Sequence, residues 1–317
     1  MHDVAQAAGV SIATVSNVLR GARYVGPEPK KRVQDAVAAL NYRPNSLAAG
    51  LRERRSRTIG VVVPDITMGL FPAIVRRLAT RAACTDYQLI LVDSQEDLGW
   101  EQERVRALIR RSVDGLLVMP CRDNSPVLQD LRESRIPTVL LDRVAKGTDF
   151  DHVVADNAAA AREGTRHLIA LGHRRILLLA SDSTLGNIQE RIEGYREALQ
   201  EAGLSAGENV LVAGRNEVDP ARQALAAVLA GPRRPSAVFA LTQTMTIGAL
   251  QAIGEVGLDL PQDVSLLAFD DCAWFTAVRP FIHSQVSCRL MVRESTAPYR
   301  TPRASEVVPA LATPRTQ

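Results

Sequence analysis

Cysteine is scarce in this sequence of 317 residues, which has four, at Cys84, Cys121, Cys272 and Cys288. Their wide spacing fits neither the paired ligands of a zinc site nor the disulfide framework of a small secreted domain, so we expect buried free thiols. The sequence also lacks any run approaching the roughly 18 consecutive apolar residues of a membrane span. No apolar segment of the signal-peptide kind stands at its start, and we therefore expect a cytoplasmic protein.

Motifs of enzymes and of cofactor-binding proteins are missing as well. The sequence contains no G-x-G-x-x-G dinucleotide loop, no Walker phosphate loop and no H-E-x-x-H metal motif. No residue pair offers a recognisable nucleophile–base arrangement. We therefore expect a protein that is not an enzyme and that uses neither a cofactor nor a metal.

Positive charge is concentrated near the N-terminus. Residues 1–57 contain ten Lys or Arg against four Asp or Glu, although the formal net charge of the whole chain is only +3. This asymmetry favours a polyanionic partner. With 46% hydrophobic residues, the chain can form two or three domains around sizeable cores.

The segment Asp3–Leu19 has the pattern of a helix-turn-helix. Gly9 can adopt the positive φ of a sharp turn, and Ser11 can act as the N-cap of a second helix. An ordinary helical hairpin is the alternative, and these residues alone do not decide between the two. The apolar residues at helical spacing are Val4, Ala7 and Ala8 before the turn and Val15, Val18 and Leu19 after it.

A third helix is predicted over Pro27–Leu40, where Val33, Val37 and Leu40 recur at helical spacing and can cover the first two helices. Its first turn carries Lys30, Lys31 and Arg32. These cations either contact DNA phosphates, which would add affinity without sequence information, or form a solvated charged face.

Three further features resemble one family. The run D-V-A-x-x-A-G-V-S-x-x-T-V-S at Asp3–Ser16 is followed by Y-R-P-N at Tyr42–Asn45 and by T-I-G-V-V-V-P-D at Thr58–Asp65. In this order and spacing they resemble the LacI/GalR family of bacterial repressors. The resemblance implies an all-α helix-turn-helix headpiece over residues 1–43, a hinge helix and linker over 44–57, and a core over 58–280. That core would be a two-lobed α/β structure like a periplasmic binding protein, with an effector between the lobes.

The pattern after Thr58 independently predicts two doubly wound parallel sheets, because apolar strand-like runs alternate with helical periodicity. In the first lobe, strands are predicted at Ile59–Val63, Gln88–Asp93, Gly115–Met119 and Thr138–Asp142, with helices at Phe71–Ala83, Glu101–Arg111 and Pro126–Glu133. In the second, helices are predicted at Ala158–Leu171, Gln189–Ala202, Pro220–Ala230 and Thr244–Glu255, with strands at Arg175–Ala180, Val210–Val212, Ala237–Leu241 and Ser265–Asp270.

The second helix of the headpiece is predicted to enter the DNA major groove. Ile12 and Ala13 can contact thymine methyl groups, and Asn17 is the principal polar reader, with adenine as its geometric partner. Ser11, Thr14 and Ser16 are expected to hold phosphates. By resemblance, Leu51 is the hinge leucine that wedges into the minor groove and Arg52 lies beside it; a plain linker is the alternative for this segment.

Candidate effector contacts follow from position and from the resemblance. Asp65, Asp93, Asp142 and Asp270 stand at the carboxyl ends of predicted strands, where α/β sheets bind ligands. The resemblance implies an apolar wall at Leu70 and Phe71 and polar contacts from Asp142, Arg191 and Asp270. The alternative for each polar residue is an interlobe salt bridge or a loop cap. The residues implied to contact a carbohydrate or related effector are Leu70, Phe71, Asp142, Arg191 and Asp270.

Two departures from the family pattern limit the transfer. Thr242-Gln243 replaces an Asn-Asp or Gly-Asp pair, and Asn216 replaces an aromatic residue, so the identity of the effector is not carried over. After Pro280 the pattern stops, and residues 281–317 lack helical periodicity and the strand that would cross back between the lobes. We interpret this tail as a frameshift product, with a divergent genuine tail as the alternative.

These observations predict a homodimeric, operator-binding transcriptional repressor controlled by a small-molecule effector, with double-stranded DNA as its macromolecular partner and no membrane association. Two alternatives remain at this stage. One is a DNA-binding protein whose altered C-terminus has impaired sensing or dimerisation. The other is the solute-binding protein of a transporter.

Overall fold

The computed structural model describes residues 1–21, 24–42, 55–67, 70–144, 147–205, 209–270, 283–285 and 288–291. The chain divides into two units, with the boundary between Thr58 and Ile59. Within the described ranges, no helix is long and apolar enough to cross a membrane.

Residues 1–21 and 24–42 of the first unit contain the predicted set of three helices, which we call the headpiece. Gly9 ends the first helix with φ 62° and ψ 40°, the left-handed conformation that glycine adopts without a Cβ clash. The core between the helices consists of the buried residues Val4, Ala5, Ala8, Val15, Val33 and Ala36. The helices are α1 (His2–Ala8), α2 (Ile12–Arg20) and α3 (Pro27–Ala39).

Two core positions in the headpiece differ from the prediction. Ala7 is exposed and Ala5 is buried in its place, because the buried face of the short α1 is formed by Val4, Ala5 and Ala8. Leu40 is 48% exposed, because it is the C-cap of α3 and lies beyond the last helical turn. Ala36, one turn earlier, takes the core position instead.

The second unit contains two sheets, each of which forms the centre of one lobe. The first sheet has the order β11-β5-β4-β3-β1-β2, with parallel pairing from β1 through β3 and β4 to β5. The second sheet has the order β10-β9-β8-β6-β7, and all of its pairings are parallel. The predicted class of two doubly wound parallel α/β sheets is therefore confirmed.

The elements of the first lobe are β1 (Thr58–Val63), α4 (Leu70–Ala83), β2 (Gln88–Asp93), α5 (Leu98–Arg110), β3 (Gly115–Val118), α6 (Val127–Ser134), β4 (Thr138–Leu141) and β5 (Asp151–Ala155). Those of the second lobe are α7 (Asn157–Ala170), β6 (Ile176–Ala180), α8 (Gly186–Glu201), β7 (Val210–Val212), α9 (Val218–Leu229), β8 (Ala237–Ala240), α10 (Gln243–Glu255) and β9 (Ser265–Phe269). Two short strands follow, β10 (His283–Gln285) and β11 (Cys288–Met291).

Helices cover both faces of each sheet because successive strand side chains point to opposite faces. In β6, Ile176 and Leu178 pack with α7 and α8, whereas Leu177 and Leu179 pack with α9 and α10. This two-sided burial explains why β6 is apolar throughout. Parallel pairing brings the carboxyl ends of the strands to one edge of each sheet, where Asp142 follows β4 and Asp270 follows β9.

The tail differs from the expectation that the strand crossing back between the lobes is missing. β10 pairs with β9 of the second sheet, and β11 pairs antiparallel with β5 of the first. Open sheet edges present unpaired backbone N–H and C=O groups, and an extended segment can satisfy them whatever its side chains are. A search for the family's residue pattern therefore missed both strands.

The prediction of buried thiols is correct for Cys121 and wrong for Cys84. Cys84 is exposed and follows directly after the end of α4, outside the part of the helix that packs against the core. The side chains of Cys272 and Cys288 lie outside the described part of the chain.

Candidate functional site

The N-terminus of α2 forms the candidate DNA-reading surface of the headpiece. Ser11 is the N-cap, as predicted, and its Oγ accepts a hydrogen bond from the backbone N–H of Thr14 at 3.1 Å. The hydroxyls of Ser11 and Thr14 are 2.9 Å apart. Because this cap fixes where α2 begins, it also fixes which side chains occupy the first turn.

The side chains predicted to read bases project from that first turn and the next. Ile12 is 42% exposed and Ala13 is exposed, whereas Val15 on the opposite side is fully buried in the headpiece core. Ser16 and Asn17 are half-buried. The described members of the predicted DNA-binding set therefore share the N-terminal half of one helix, and Leu51 and Arg52 lie outside the described residues.

Three exposed basic residues lie in the first half of α3, the third headpiece helix. Lys30, Lys31 and Arg32 are all exposed in the first half of α3. Their exposure fits both interpretations raised by the sequence, contacts to phosphates or a solvated face.

In the second unit, two aspartates directly follow strands, one in each lobe. Asp142 follows β4 of the first lobe, and Asp270 follows β9 of the second. Both have positive φ, 64° and 66°, which is uncommon for non-glycine residues and re-aims the side chain at the strand end. The Nδ2 of Asn187, on α8 of the second lobe, donates to Oδ2 of Asp142 at 3.3 Å, so the Asp142 carboxylate contacts both lobes.

Arg191 lies on α8, one turn after Asn187, and is 3% exposed. Its Nε donates to Oδ1 of Asn157 at 2.9 Å, and its Nη1 donates to the carbonyl oxygen of Leu241 at 2.6 Å. The guanidinium carbon is 3.7 Å from the centre of the Phe269 ring, which is a cation–π contact. Arg191 therefore links α7, the end of β8 and the end of β9 in a single fixed geometry.

The three charged candidates interact electrostatically. Burial raises the pKa of Asp270 above its usual value, the nearby charge of Arg191 lowers it, and the charge of Asp142 raises it again. The structure thus brings Asp142, Arg191 and Asp270 to one place although they come from three elements. Two carboxylates that flank a guanidinium can accept hydrogen bonds from the hydroxyls of a polyol while the arginine donates.

The remaining candidates occupy other environments. Phe71 is 2% exposed and packs with Val61, Val63, Met119 and Leu141 in the core of the first lobe, with Leu70 partly buried beside it. These two side chains therefore have a packing role in the structure, and a contact with an effector remains a prediction.

Asp65 and Asp93 are at strand ends, as expected, but they bond locally. Asp65 accepts hydrogen bonds from the backbone and hydroxyl of Thr67, and Asp93 accepts one from the backbone of Gln95. The alternative of loop caps thus describes both residues.

The departures at Thr242 and Asn216 are joined in the structure. The Thr242 hydroxyl donates to Oδ1 of Asn216 at 2.8 Å, and it also accepts from the backbone N–H of Met245 as the N-cap of α10. The family's carboxylate-containing pair is replaced here by Thr242-Gln243, and Thr242 forms a hydrogen bond with another neutral side chain, Asn216.

Sequence reasoning missed a buried polar cluster in the first lobe. Glu101 is fully buried; its Oε1 accepts from the backbone N–H of Cys121 at 2.7 Å, and its other oxygen accepts from the Ser125 hydroxyl. Burial, with the nearby Glu101 carboxylate, raises the pKa of Cys121 to about 12, so this thiol is not a nucleophile at neutral pH. The only signal in the sequence is a glutamate at the core-facing position of an amphipathic helix.

Comparison with known proteins gives the same division of the chain. Residues 1–45 match the family model described as "Bacterial regulatory proteins, lacI family". Residues 56–279 match the model described as "Periplasmic binding proteins and sugar binding domain of LacI family". The chain belongs to the LacI family.

Individual LacI-family proteins match along most of their length. Catabolite control protein A of Priestia megaterium is 30% identical over 289 residues, which cover 90% of this chain and 86% of that protein. The Lac repressor dimer bound to operator and to the anti-inducer ONPF is 27% identical, with a TM-score of 0.80 and coverage of 89% of this chain and 85% of that one. A complex of the transcriptional regulator CelR with cellobiose is 30% identical, with a TM-score of 0.66 and coverage of 89% and 86%.

Membership of the LacI family removes one of the two alternatives left open by the sequence, the solute-binding protein of a transporter. The chain is a DNA-binding transcriptional regulator with an effector-binding core, and not an enzyme. The match over residues 1–45 excludes the solute-binding protein of a transporter, because that class has no DNA-binding headpiece.

Glu101 supplies a prediction about the stability of this LacI-family core. Burial raises the pKa of Glu101 by more than its hydrogen bonds from Ser125 and Cys121 lower it, so the folded state binds the proton more tightly than the unfolded state does. The stabilising contribution is complete at low pH and is lost as the pH rises from the unfolded value of roughly 4.3 through the raised folded value. Glu101→Gln keeps hydrogen-bond partners for Cys121 and Ser125 and should remove the decrease in stability with rising pH. Glu101→Ala should lower the free energy of unfolding by about 3 kcal/mol.

The measurement is urea unfolding of the core at several pH values between 4 and 8 for the two variants and the unchanged chain. A Gln variant that loses stability with rising pH as steeply as the unchanged chain would show that Glu101 is not the source.

Proposed function

We propose that this protein represses transcription as a homodimer that binds a pseudo-palindromic operator in the cytoplasm, and that a neutral polyhydroxylated effector in the cleft controls this binding. The observation that carries the effector half of the proposal is the convergence of Asp142, Arg191 and Asp270. These groups supply both acceptors and a fixed donor, which matches the hydroxyl pattern of a sugar or polyol. CelR, whose complex holds cellobiose, is a relative with a ligand of this kind.

The DNA half of the proposal rests on the first turn of α2. Ile12 and Ala13 present apolar surface that can contact thymine methyl groups, and Asn17 presents an amide that suits adenine. Ser11, Thr14 and Ser16 would hold phosphates, with Lys30, Lys31 and Arg32 adding affinity without base preference. The paired hinges would insert Leu51, with Arg52 beside it, at the centre of the operator.

A dimer makes this arrangement selective. Two recognition helices about 34 Å apart read two half-sites, and the free energies of the two headpieces add. A ligand that closes or twists the lobes would change how the hinges pair and thereby change operator affinity, a coupling typically worth about 1–3 kcal/mol.

The operator prediction is tested by selecting bound sequences from a random DNA pool. We expect a pseudo-palindromic consensus whose affinity falls steeply with salt. Asn17→Ala should relax base preference at one position in each half-site, at a cost of about 1–3 kcal/mol. Lys31→Ala is the matched control and should weaken all sequences alike. Leu51→Ala should reduce DNA bending, measured by the mobility of circularly permuted fragments.

Three outcomes would contradict parts of this proposal. An unchanged consensus for Asn17→Ala would remove its role as a base reader, and unchanged bending for Leu51→Ala would remove the wedge. A monomer in size-exclusion chromatography, with and without sugars, would support the alternative in which residues 281–317 impair dimerisation.

A further inference from the structure

A second group of polar contacts joins the two lobes, apart from the candidate effector residues. Arg122 follows β3 of the first lobe and Asp182 follows β6 of the second; Arg122 Nη2 and Asp182 Oδ2 are 3.0 Å apart. Next to this ion pair, the backbone N–H of Gly186 at the start of α8 donates to Oδ1 of Asp123 at 3.3 Å. Both contacts connect the loop after β3 with the segment that begins α8.

The second-lobe partner, Asp182, is also held by hydrogen bonds within its own lobe. Oδ1 of Asp182 accepts hydrogen bonds from the backbone N–H of Thr184 at 2.9 Å and from its hydroxyl at 2.6 Å. Burial alone would raise the pKa of Asp182, but these bonds and the charge of Arg122 outweigh it and lower the pKa. The carboxylate is therefore ionised at neutral pH and needs little ordering to meet a cation.

The first-lobe partner, Arg122, belongs to a network of polar contacts that extends to Asp142 of the candidate effector site. Arg122 Nη1 donates to the carbonyl of Cys121 at 2.8 Å and is 3.6 Å from Oε2 of Glu96. The same Glu96 carboxylate accepts two hydrogen bonds from Arg143, at 2.9 and 2.7 Å. Arg143 is adjacent to Asp142 in sequence, and its Nε is 3.9 Å from Oδ2 of Asp142.

Asp123 packs closely against Gly186 at the start of α8. A Cβ placed on Gly186 would be 2.5 Å from Oδ2 of Asp123, closer than such atoms approach one another. The ion pair is only partly exposed, with 31% of the Arg122 side chain and 23% of the Asp182 side chain accessible. It is therefore screened less than an ion pair at the open surface.

From this geometry we propose that Arg122, Asp123, Asp182 and the Gly186 N–H form an interlobe latch that favours the closed cleft in the absence of effector. These are positioning residues: they hold the lobes together without touching the effector. The latch sets how much of the effector's binding free energy is spent on closing the lobes. The inference rests on the proposed function, because the cleft that the latch closes is the proposed effector cleft.

The test measures lobe closure directly. Spin labels on unnatural amino acids at the exposed positions Gln129 on α6 and Gln223 on α9 report one distance across the cleft. Unlabelled chain is added in excess, so that few dimers contain two labelled copies. Arg122→Ala and Asp182→Asn should each shift the distance distribution to longer values, with at least about a threefold rise in the ratio of open to closed molecules. The double variant Arg122→Asp with Asp182→Arg should restore the shorter distance in part.

Arg166→Ala is the matched control. Arg166 pairs with Glu201 within the second lobe, at 2.7 Å, so the control removes an arginine ion pair without affecting a contact between lobes. Its distance distribution should equal that of the unchanged chain. A distribution for Arg122→Ala that superimposes on the unchanged one would overturn the latch.

This measurement needs neither operator nor effector. Failure of the latch would leave the operator selection experiment unaffected, and failure of operator binding would leave the distance measurement unaffected. The two hypotheses can therefore be rejected separately.

Discussion

Replacement of Gly194 by alanine is expected to lower the free energy of unfolding of the core by about 3–5 kcal/mol. Gly194 lies on α8 where that helix crosses the start of α7. A Cβ at this position would be 2.8 Å from the carbonyl carbon of Ala158 and closer still to its oxygen. Both atoms belong to the backbone of a packed helix, so α7 and α8 would have to move apart.

The displacement would spread beyond the local clash, because further polar contacts join the same two helices. Arg162 pairs with Glu197, Arg166 pairs with Glu201, and Arg191 bonds to Asn157. A shift of α8 therefore also moves the arginine of the candidate effector site.

Gly254→Ala provides the control for this prediction. Gly254 is on α10, and a Cβ there would meet nothing within 4 Å. Alanine at this exposed helical position should raise stability by about 1 kcal/mol through helix propensity alone. Thermal and urea unfolding of both variants measure the difference, and equal midpoints for the two would mean that the α7–α8 crossing tolerates a methyl group.

Arg191→Ala is expected to weaken effector binding at least about 100-fold, the loss of roughly 3 kcal/mol that follows removal of a buried charged hydrogen-bonding group. Its two hydrogen bonds and its contact with Phe269 disappear together, which leaves the Leu241 carbonyl and Asn157 without this donor. The operator affinity of the variant should no longer respond to effector, whereas operator binding itself should remain, because the headpiece is unchanged.

The experiment begins with a thermal-shift screen of neutral sugars on the unchanged chain and then titrates the responding sugar into each variant by calorimetry. Arg191→Lys retains the charge but cannot bridge Asn157 and Leu241, and should give an intermediate affinity. Arg196→Ala, at an exposed position of the same helix, should bind like the unchanged chain. If Arg191→Ala bound the sugar as tightly as the unchanged chain, this arginine would not be part of the effector site.

Local sequence patterns predicted the local structure well. Gly9 and Ser11 indicated where α1 ends and α2 begins because their roles depend only on neighbouring residues. The apolar run of β6 indicated a strand covered on both faces, and the structure confirms it. β5 escaped notice because Asp151–Ala155 begins with two polar residues and offers no apolar run.

Contacts between distant residues were beyond the reach of these patterns. Arg191 and Leu241 are 50 residues apart, and Asp142 and Asn187 are 45 apart. Family resemblance selected Asp142, Arg191 and Asp270, but it gave no indication of Asn187, Glu96 or Arg122. Asn187 and Arg122 meet partners in the opposite lobe, whereas Glu96 meets Arg143 and Arg122 across separate loops of the first lobe. These contacts depend on the folded core rather than on any window of sequence.

Because the core of the headpiece is small, binding to operator DNA is expected to contribute substantially to the stability of its folded state. The buried residues of this core are three valines and three alanines, all with small side chains, so hydrophobic burial stabilises these three helices only weakly. Any ligand that binds only the folded form adds RT ln(1 + [L]/Kd) to stability, which is about 2.7 kcal/mol at a concentration 100 times Kd. A repressor on its operator would therefore keep its reading helix folded at temperatures that unfold the same helix in the free protein. Release from DNA would remove this added stability.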